Sequence, residues 1–159
     1  MHRHALTKVL PYSPDQLFQL VGDVAAYPQF VPWLTSIRTW NEREVGAGVT
    51  SIDAEAGVGF SFLRERFATR VLRDSQRREI HVSLLHGPFR ALKNDWRFEP
   101  DPTGTKIHFA IEFAFKSRLL DALLHANMDR AAAKLIGCFE ARAAEVYGEA
   151  EAAAPPPSR

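Results

Sequence analysis

Few side chains in this 159-residue chain are of a type and spacing that could do chemistry. Six histidines stand at positions 2, 4, 81, 86, 108 and 125, and none falls into an HxxxH or HExxH spacing. No Cys/His cluster accompanies them, so no metal site is expected. His2 and His4 lie on one side of a strand and read as solvent-exposed rather than as a ligand pair. No serine sits in a GxSxG turn, and the single cysteine, Cys138, lies in an apolar helical stretch as a buried, inert thiol. Gly46, Gly48, Gly57 and Gly59 lack the lysine and helix that a phosphate cradle needs.

What remains is one carboxylate and one amide, each set in an apolar row. In FSFLRERFATRV, Leu63, Glu65, Phe67 and Val71 share a strand face. A carboxylate buried there has a raised pKa and suits a general acid; equally, Glu65 pairs with a neighbouring arginine or faces outward. With His81 it makes a thin acid/base set, and no residue is assigned as catalytic. In GPFRALKNDWRFEP, Leu92, Asn94, Trp96 and Phe98 alternate against Lys93, Asp95, Arg97 and Glu99. Burying an amide without a partner costs about 1–3 kcal/mol. The partner of Asn94 is either a carbonyl of a bound molecule or a backbone group of the elbow or the long helix.

The elements that must position these residues are legible from their periodicity. A first strand covers His4 to Leu10. SPDQLFQLV follows as a short helix capped by Ser13, with Pro14 at its first position and Gly22 at its end. DVAAYPQFVPW, from Asp23 to Trp33, is an apolar elbow that Pro28 and Pro32 keep from forming a long helix, with room for a second short helix around Val24 to Phe30. From there to Lys116, strand patterns alternate with turn signals at 45–48, 57–59, 73–76, 86–88 and 101–104, the mark of an antiparallel meander. In the last strand Ile107, Phe109, Ile111, Phe113 and Phe115 form an unbroken apolar face.

Ser117 to about Tyr147 reads as one helix, roughly 45 Å long at ~1.5 Å per residue. Leu120, Leu123, Leu124, Met128, Ala131, Leu135, Phe139 and Val146 form its apolar stripe. The sum is an α+β chain, a curved sheet of about seven antiparallel strands around a long C-terminal helix, with two short helices after the first strand. Residues 1–148 form this one domain, and the Ala/Pro-rich 149–159 reads as a disordered tail.

Small residues on the helix (Ala131, Ala132, Ala133 and Gly137) face large rings on the strands. Either the rings fill that volume or a ligand does, since an empty cavity is costly. The expected pocket is lined by Trp96, Phe98, Phe109, Phe113, Met128, Ala131 and Leu135, with Asn94 as its polar group.

Bulk properties narrow the classes further. A net charge of +1 makes no field for nucleic acid, and no DNA partner is expected. Arg73, Arg77 and Arg78 read as a solvated hairpin tip. One cysteine, no leader pattern and no ~20-residue apolar run fit a cytoplasmic protein, peripheral at most to an inner membrane.

SPDQLFQLVGDVAAYPQFVPW resembles the N-terminal helices of the coenzyme Q-binding family within the START-like, helix-grip superfamily. GPFRALKNDWRFEP, with Gly87, Pro88, Phe89, Leu92, Asn94, Trp96 and Phe98, resembles that family's central hairpin. The resemblance spans roughly residues 3–148 and implies a lipid-sized cavity between sheet and helix. Tyr27, Phe30 and Trp33 of the elbow would then roof one end of the cavity, or else plug the core. It further implies that ubiquinone or a related polyprenyl lipid is bound and delivered for respiration and quinone biosynthesis in a bacterium, with no other cofactor. The same family includes a bacterial ribosome-association toxin, and the superfamily includes polyketide cyclases and dehydratases, so a ribosome partner and an enzyme stand as alternatives. The hairpin AGVGFSF, Ala56 to Phe62, and the elbow are expected at one cavity mouth, with Phe60 and Phe62 touching a bilayer.

Overall fold

The computed structural model describes residues 2–60 and 63–148. The tail 149–159 lies outside these residues, as do Phe62 and the side chain of Phe60, on which the expected membrane contact depended.

The element order follows the sequence pattern closely. Strand β1 (His2–Leu10) leads into helix α1 (Pro14–Gly22) and a 3-10 helix (Val24–Gln29). Six strands follow: β2 (Leu34–Gly46), β3 (Val49–Phe60), β4 (Leu63–Asp74), β5 (Glu79–His86), β6 (Phe89–Asp101) and β7 (Gly104–Phe115). They form one antiparallel sheet in the order β1-β7-β6-β5-β4-β3-β2. Consecutive hairpins build it, and β1 closes it by pairing with β7, Leu6 opposite Phe109. Helices α2 (Arg118–Ala126) and α3 (Met128–Tyr147) complete the chain.

α1 starts where local chemistry says it should. The Gln16 N–H donates to Ser13 Oγ at 3.1 Å, and the Ser13 N–H donates to Gln16 Oε1 at 3.0 Å. This reciprocal cap satisfies two donors that would otherwise lack partners. Leu17, Phe18, Leu20 and Val21 are its buried side.

Two expectations fail, each for a local reason. Gly57-Val58-Gly59 is not a turn, because β3 runs through it to Phe60. A Cβ at Gly57 would stand 2.6 Å from Ser36 Oγ, so this glycine admits the neighbouring strand rather than reversing the chain. The C-terminal helix is not continuous, because Asn127 interrupts it at φ −116°, ψ 15°. Its Nδ2 donates to the Leu123 carbonyl at 2.8 Å, a side-chain bond that competes with the helical ladder. The buried stripe of α3 is accordingly Ala132, Ile136, Phe139 and Ala143, while Val146 is half-exposed and α2 buries no residue fully.

The sheet's inner face is graded. At one end, Ile80, Trp96 and Phe109 stand side by side across β5, β6 and β7, each at most 3% exposed. α1 and the C-terminal half of α3 cover them. Phe139 centres that end, with Trp96, Tyr27 and Phe30 edge-on to it at 5.2, 5.2 and 5.3 Å. One pleat further along, Val82, Asn94 and Ile111 form the next row and are only half-buried.

Candidate functional site

That half-buried row is the start of an apolar face the helices do not close. Val82, Leu92, Asn94 and Ile111 are its partly exposed sheet residues; Ala131 and Leu135 of α3 are partly exposed as well, whereas Met128 lines a groove of about 380 Å³ beside His2 and His4 of β1. Beyond that face, Phe113 and Phe115 are buried under α2, with Phe89 stacked on Phe115 at 4.4 Å and Phe67 edge-on to Phe89 at 5.3 Å.

Of the eleven residues expected to bind a ligand, eight lie on the sheet and α3 and three on the elbow. Trp96, Phe98, Phe109 and Phe113 are at most 3% exposed and pack ring against ring, so they back the face rather than line it. Asn94, Ala131 and Leu135 are half-buried, and Met128, also half-buried, lines the groove beside β1. Asn94 is bonded inside the protein, donating from Nδ2 to the Ala110 carbonyl of β7 at 2.9 Å and accepting from Trp96 Nε1 at 2.7 Å. Its partners are therefore a strand backbone and an indole, not the elbow or the helix.

Tyr27 and Phe30 grip Phe139 and close the joint between the elbow and α3. The Tyr27 hydroxyl donates to the Val21 carbonyl, and burial, helped by Asp23, pushes its pKa far above the ordinary tyrosine value. Trp33 is half-buried, and its carbonyl accepts the Gly59 N–H at 3.0 Å.

Glu65 and His81 do not meet. His81 pairs across the ladder with Leu72, seven residues along β4 from Glu65 and on the opposite face. His81 instead lies on the outer face between Asp95, 2.6 Å from Nδ1, and Glu79, 3.0 Å from Nε2. Burial alone would lower its pKa, but the two carboxylates outweigh that and raise it. The group borders an open depression of about 520 Å³ floored by Ala5 and Ala110 and edged by Arg97 and His108. Residue spacing alone does not reveal the set, because it exists only in the register that sets His81 opposite Asp95.

The expectation that His2 and His4 are solvent-exposed is corrected. His2 Nε2 lies 2.6 Å from Asp121, and His4 Nδ1 lies 2.9 Å from Asp129, so β1 is tied to both sides of the helix break. The ring of His125 stacks on His2 at 4.1 Å. The Asp121 carboxyl is held below the ordinary range by the Phe115 N–H and then by His2. The arginine tip is also revised. Arg73 reaches inward to the Gly22 carbonyl, Thr50 and Glu42, and Arg78 pairs with Asp15, leaving Arg77 as the exposed member. Cys138 is half-buried, and desolvation raises its thiol pKa, which fits an unreactive side chain. Among the described residues, no three His, Cys, Asp or Glu side chains converge as a metal site needs, and no helix is long and apolar enough to cross a membrane.

A seven-stranded curled sheet gripping C-terminal helices, with an apolar inner face left partly open, defines a START-like, helix-grip protein. The profile of the family described as polyketide cyclase / dehydrase and lipid transport matches residues 10–140, and the chain belongs to that family. It is 37% identical over 143 residues to the ribosome association toxin RatA of Rickettsia prowazekii, covering 88% of this chain and 94% of that one. It is 31% identical over 158 residues to the mitochondrial coenzyme Q-binding protein COQ10 homolog B of Xenopus laevis, covering 91% of this chain and 59% of that one. Among solved structures, an 18 kDa protein of Caulobacter crescentus is 66% identical, with a TM-score of 0.80 over 94% of this chain and all of that one. A START superfamily protein of Mycobacterium smegmatis has a TM-score of 0.76 at 19% identity, a likeness of fold alone.

Proposed function

We propose that the protein holds a polyprenyl lipid, ubiquinone or a close relative, against the open inner face of the sheet and hands it on. The observation that carries this reading is the half-buried apolar row of Val82, Leu92 and Ile111, of which Val82 and Ile111 pack, like the half-buried Leu135 of α3, against the edge of the core. A surface of this kind gains free energy by leaving water, at about 25 cal/mol per Å² covered, and a flexible isoprenoid chain can follow it. The likeness to a coenzyme Q-binding protein supports a quinone as the occupant. The Asn94 amide has a second N–H with which to orient a ring carbonyl while its first stays on β7. Sequestration of this sort needs neither a metal nor a catalytic residue.

Solvent extraction of the purified protein, followed by mass spectrometry, tests the reading; a polyprenyl quinone in stoichiometric amount is expected. Two adjacent alanines provide the control. Ala131 is half-buried, and Ala132 is 2% exposed in the closed core. Ala131→Trp should abolish lipid carriage with the fold intact, whereas Ala132→Trp should cost about 1–3 kcal/mol of stability or more. An Ala131→Trp protein that still carries lipid would exclude this face as the site.

The near full-length identity to ribosome association toxins favours a second reading, in which the protein binds ribosomal subunits. Sedimentation of the purified protein with isolated subunits tests it, and release of assembled ribosomes into subunits is the expected sign.

A further inference from the structure

Helix α2 is held to β1 and β7 through Asp121 and His125, yet part of its apolar surface is left uncovered. None of its nine residues is fully buried, and Leu119 and Leu123, one turn apart on the same ridge, are 67% and 42% exposed. Leu120 and Leu124 form a second row, half-buried toward β7. Lys116 and Arg118 flank the start of the helix, where its dipole disfavours positive charge.

More cations reach the same end of the molecule. The Lys116 N–H donates to the Pro88 carbonyl at 2.8 Å, which seats the start of α2 against the β5–β6 turn. Arg90, just past that turn, donates from Nε to the Phe115 carbonyl at 3.3 Å, and the Arg66 backbone lies against Gly87 within it. Arg66, Arg90, Lys116 and Arg118 are all exposed. Of the nearby acids, Asp121 bonds His2 and the Phe115 N–H and also lies within electrostatic reach of Arg90, and Glu112 pairs with Arg3.

We propose that α2 and its basic rim dock on the surface of an anionic lipid bilayer. The helix lies flat, with Leu119 and Leu123 entering the boundary between headgroups and acyl chains. Lys116, Arg118 and Arg90 meet the anionic headgroups. An RNA backbone would satisfy the cations and leave the leucines in water, whereas a bilayer satisfies both. Docking here sets the break at Asn127, and with it the open inner face, beside the membrane from which a lipid would be drawn. The inference rests on the lipid-binding reading in that respect.

The test is flotation of the full chain with vesicles of phosphatidylcholine, with and without phosphatidylglycerol. Binding should require the anionic lipid and fall with added salt. Leu119→Ser with Leu123→Ser should lower the bound fraction about tenfold. Lys116→Glu with Arg118→Glu should lower it about 25-fold or more, roughly fivefold per cation, and flatten the salt dependence. Melting temperatures should stay near the parent value, because these side chains are exposed. Flotation unchanged in both variants overturns the proposal. So does a charge-reversed protein that loses ribosomal RNA while the serine variant keeps it, because the surface would then serve nucleic acid. A protein that carries quinone but never floats overturns the docking surface alone. One that floats through α2 yet carries no lipid supports docking and overturns only the carriage reading.

Discussion

The two ends of the sheet's inner face are built from the same strands and the same kinds of side chain, yet one is sealed and the other is not. At the sealed end, Ile80, Trp96 and Phe109 meet α1, the elbow and Phe139, and aromatic edges meet aromatic faces on several sides. At the open end, Val82, Asn94 and Ile111 are only half-buried. Apolar composition is therefore not what separates a core from a binding face. The separation comes from whether the covering element presents volume at that row. The division also assigns tasks, since stability concentrates at the sealed end and the open end is free to change its occupant.

The largest expected effect lies at the sealed end. Phe139→Ala removes the ring against which Trp96, Tyr27 and Phe30 all pack, and should cost about 3–5 kcal/mol in denaturant unfolding. A loss below about 1 kcal/mol would mean that the two ends are equally loose, and the comparison would break.

Asn94 stands at the border and gives an intermediate test. Asn94→Leu leaves the Trp96 indole N–H without its acceptor, and should cost about 1–3 kcal/mol while the apolar face grows. If lipid carriage is also lost, the amide orients the ligand as well as the wall; if only stability falls, Asn94 serves the wall. Measuring both on one preparation sharpens where the sealed end stops.

The smallest effect is expected at the open end, through pH. The Asp121 carboxyl is held below its ordinary value of 3.8 by the Phe115 N–H and His2. A depressed folded-state pKa contributes stability that is present above the ordinary value and is lost as pH falls through the folded one. Asp121→Asn should therefore loosen α2 slightly at neutral pH, read by amide exchange in Arg118–Ala126. The difference from the parent protein should close as pH falls below 3.8. Equal protection of α2 at both pH values would show that the His2–Asp121 tie does not hold the helix.

The alternation in β7, the Ser13 cap of α1 and four of the five turn signals were legible in the sequence and implied about seven strands in a meander, while the turn signal at 57–59 fell inside β3. These are local statements, decided by residues two to four apart. The apolar elbow was legible as a joint for the same reason, although its partner Phe139, more than a hundred residues later, was not. Three features needed the tertiary structure. Asn127 broke the helix because a side-chain bond to Leu123 competed with a ladder that the leucine pattern alone would continue. His81, Asp95 and Glu79 became a group only when β5 and β6 took one register. The open inner face was decided last of all, because the strand pattern marks a face as apolar but says nothing of how much of it another element covers. That depends on where α2 and α3 lie, which the packing of Phe139 helps to determine.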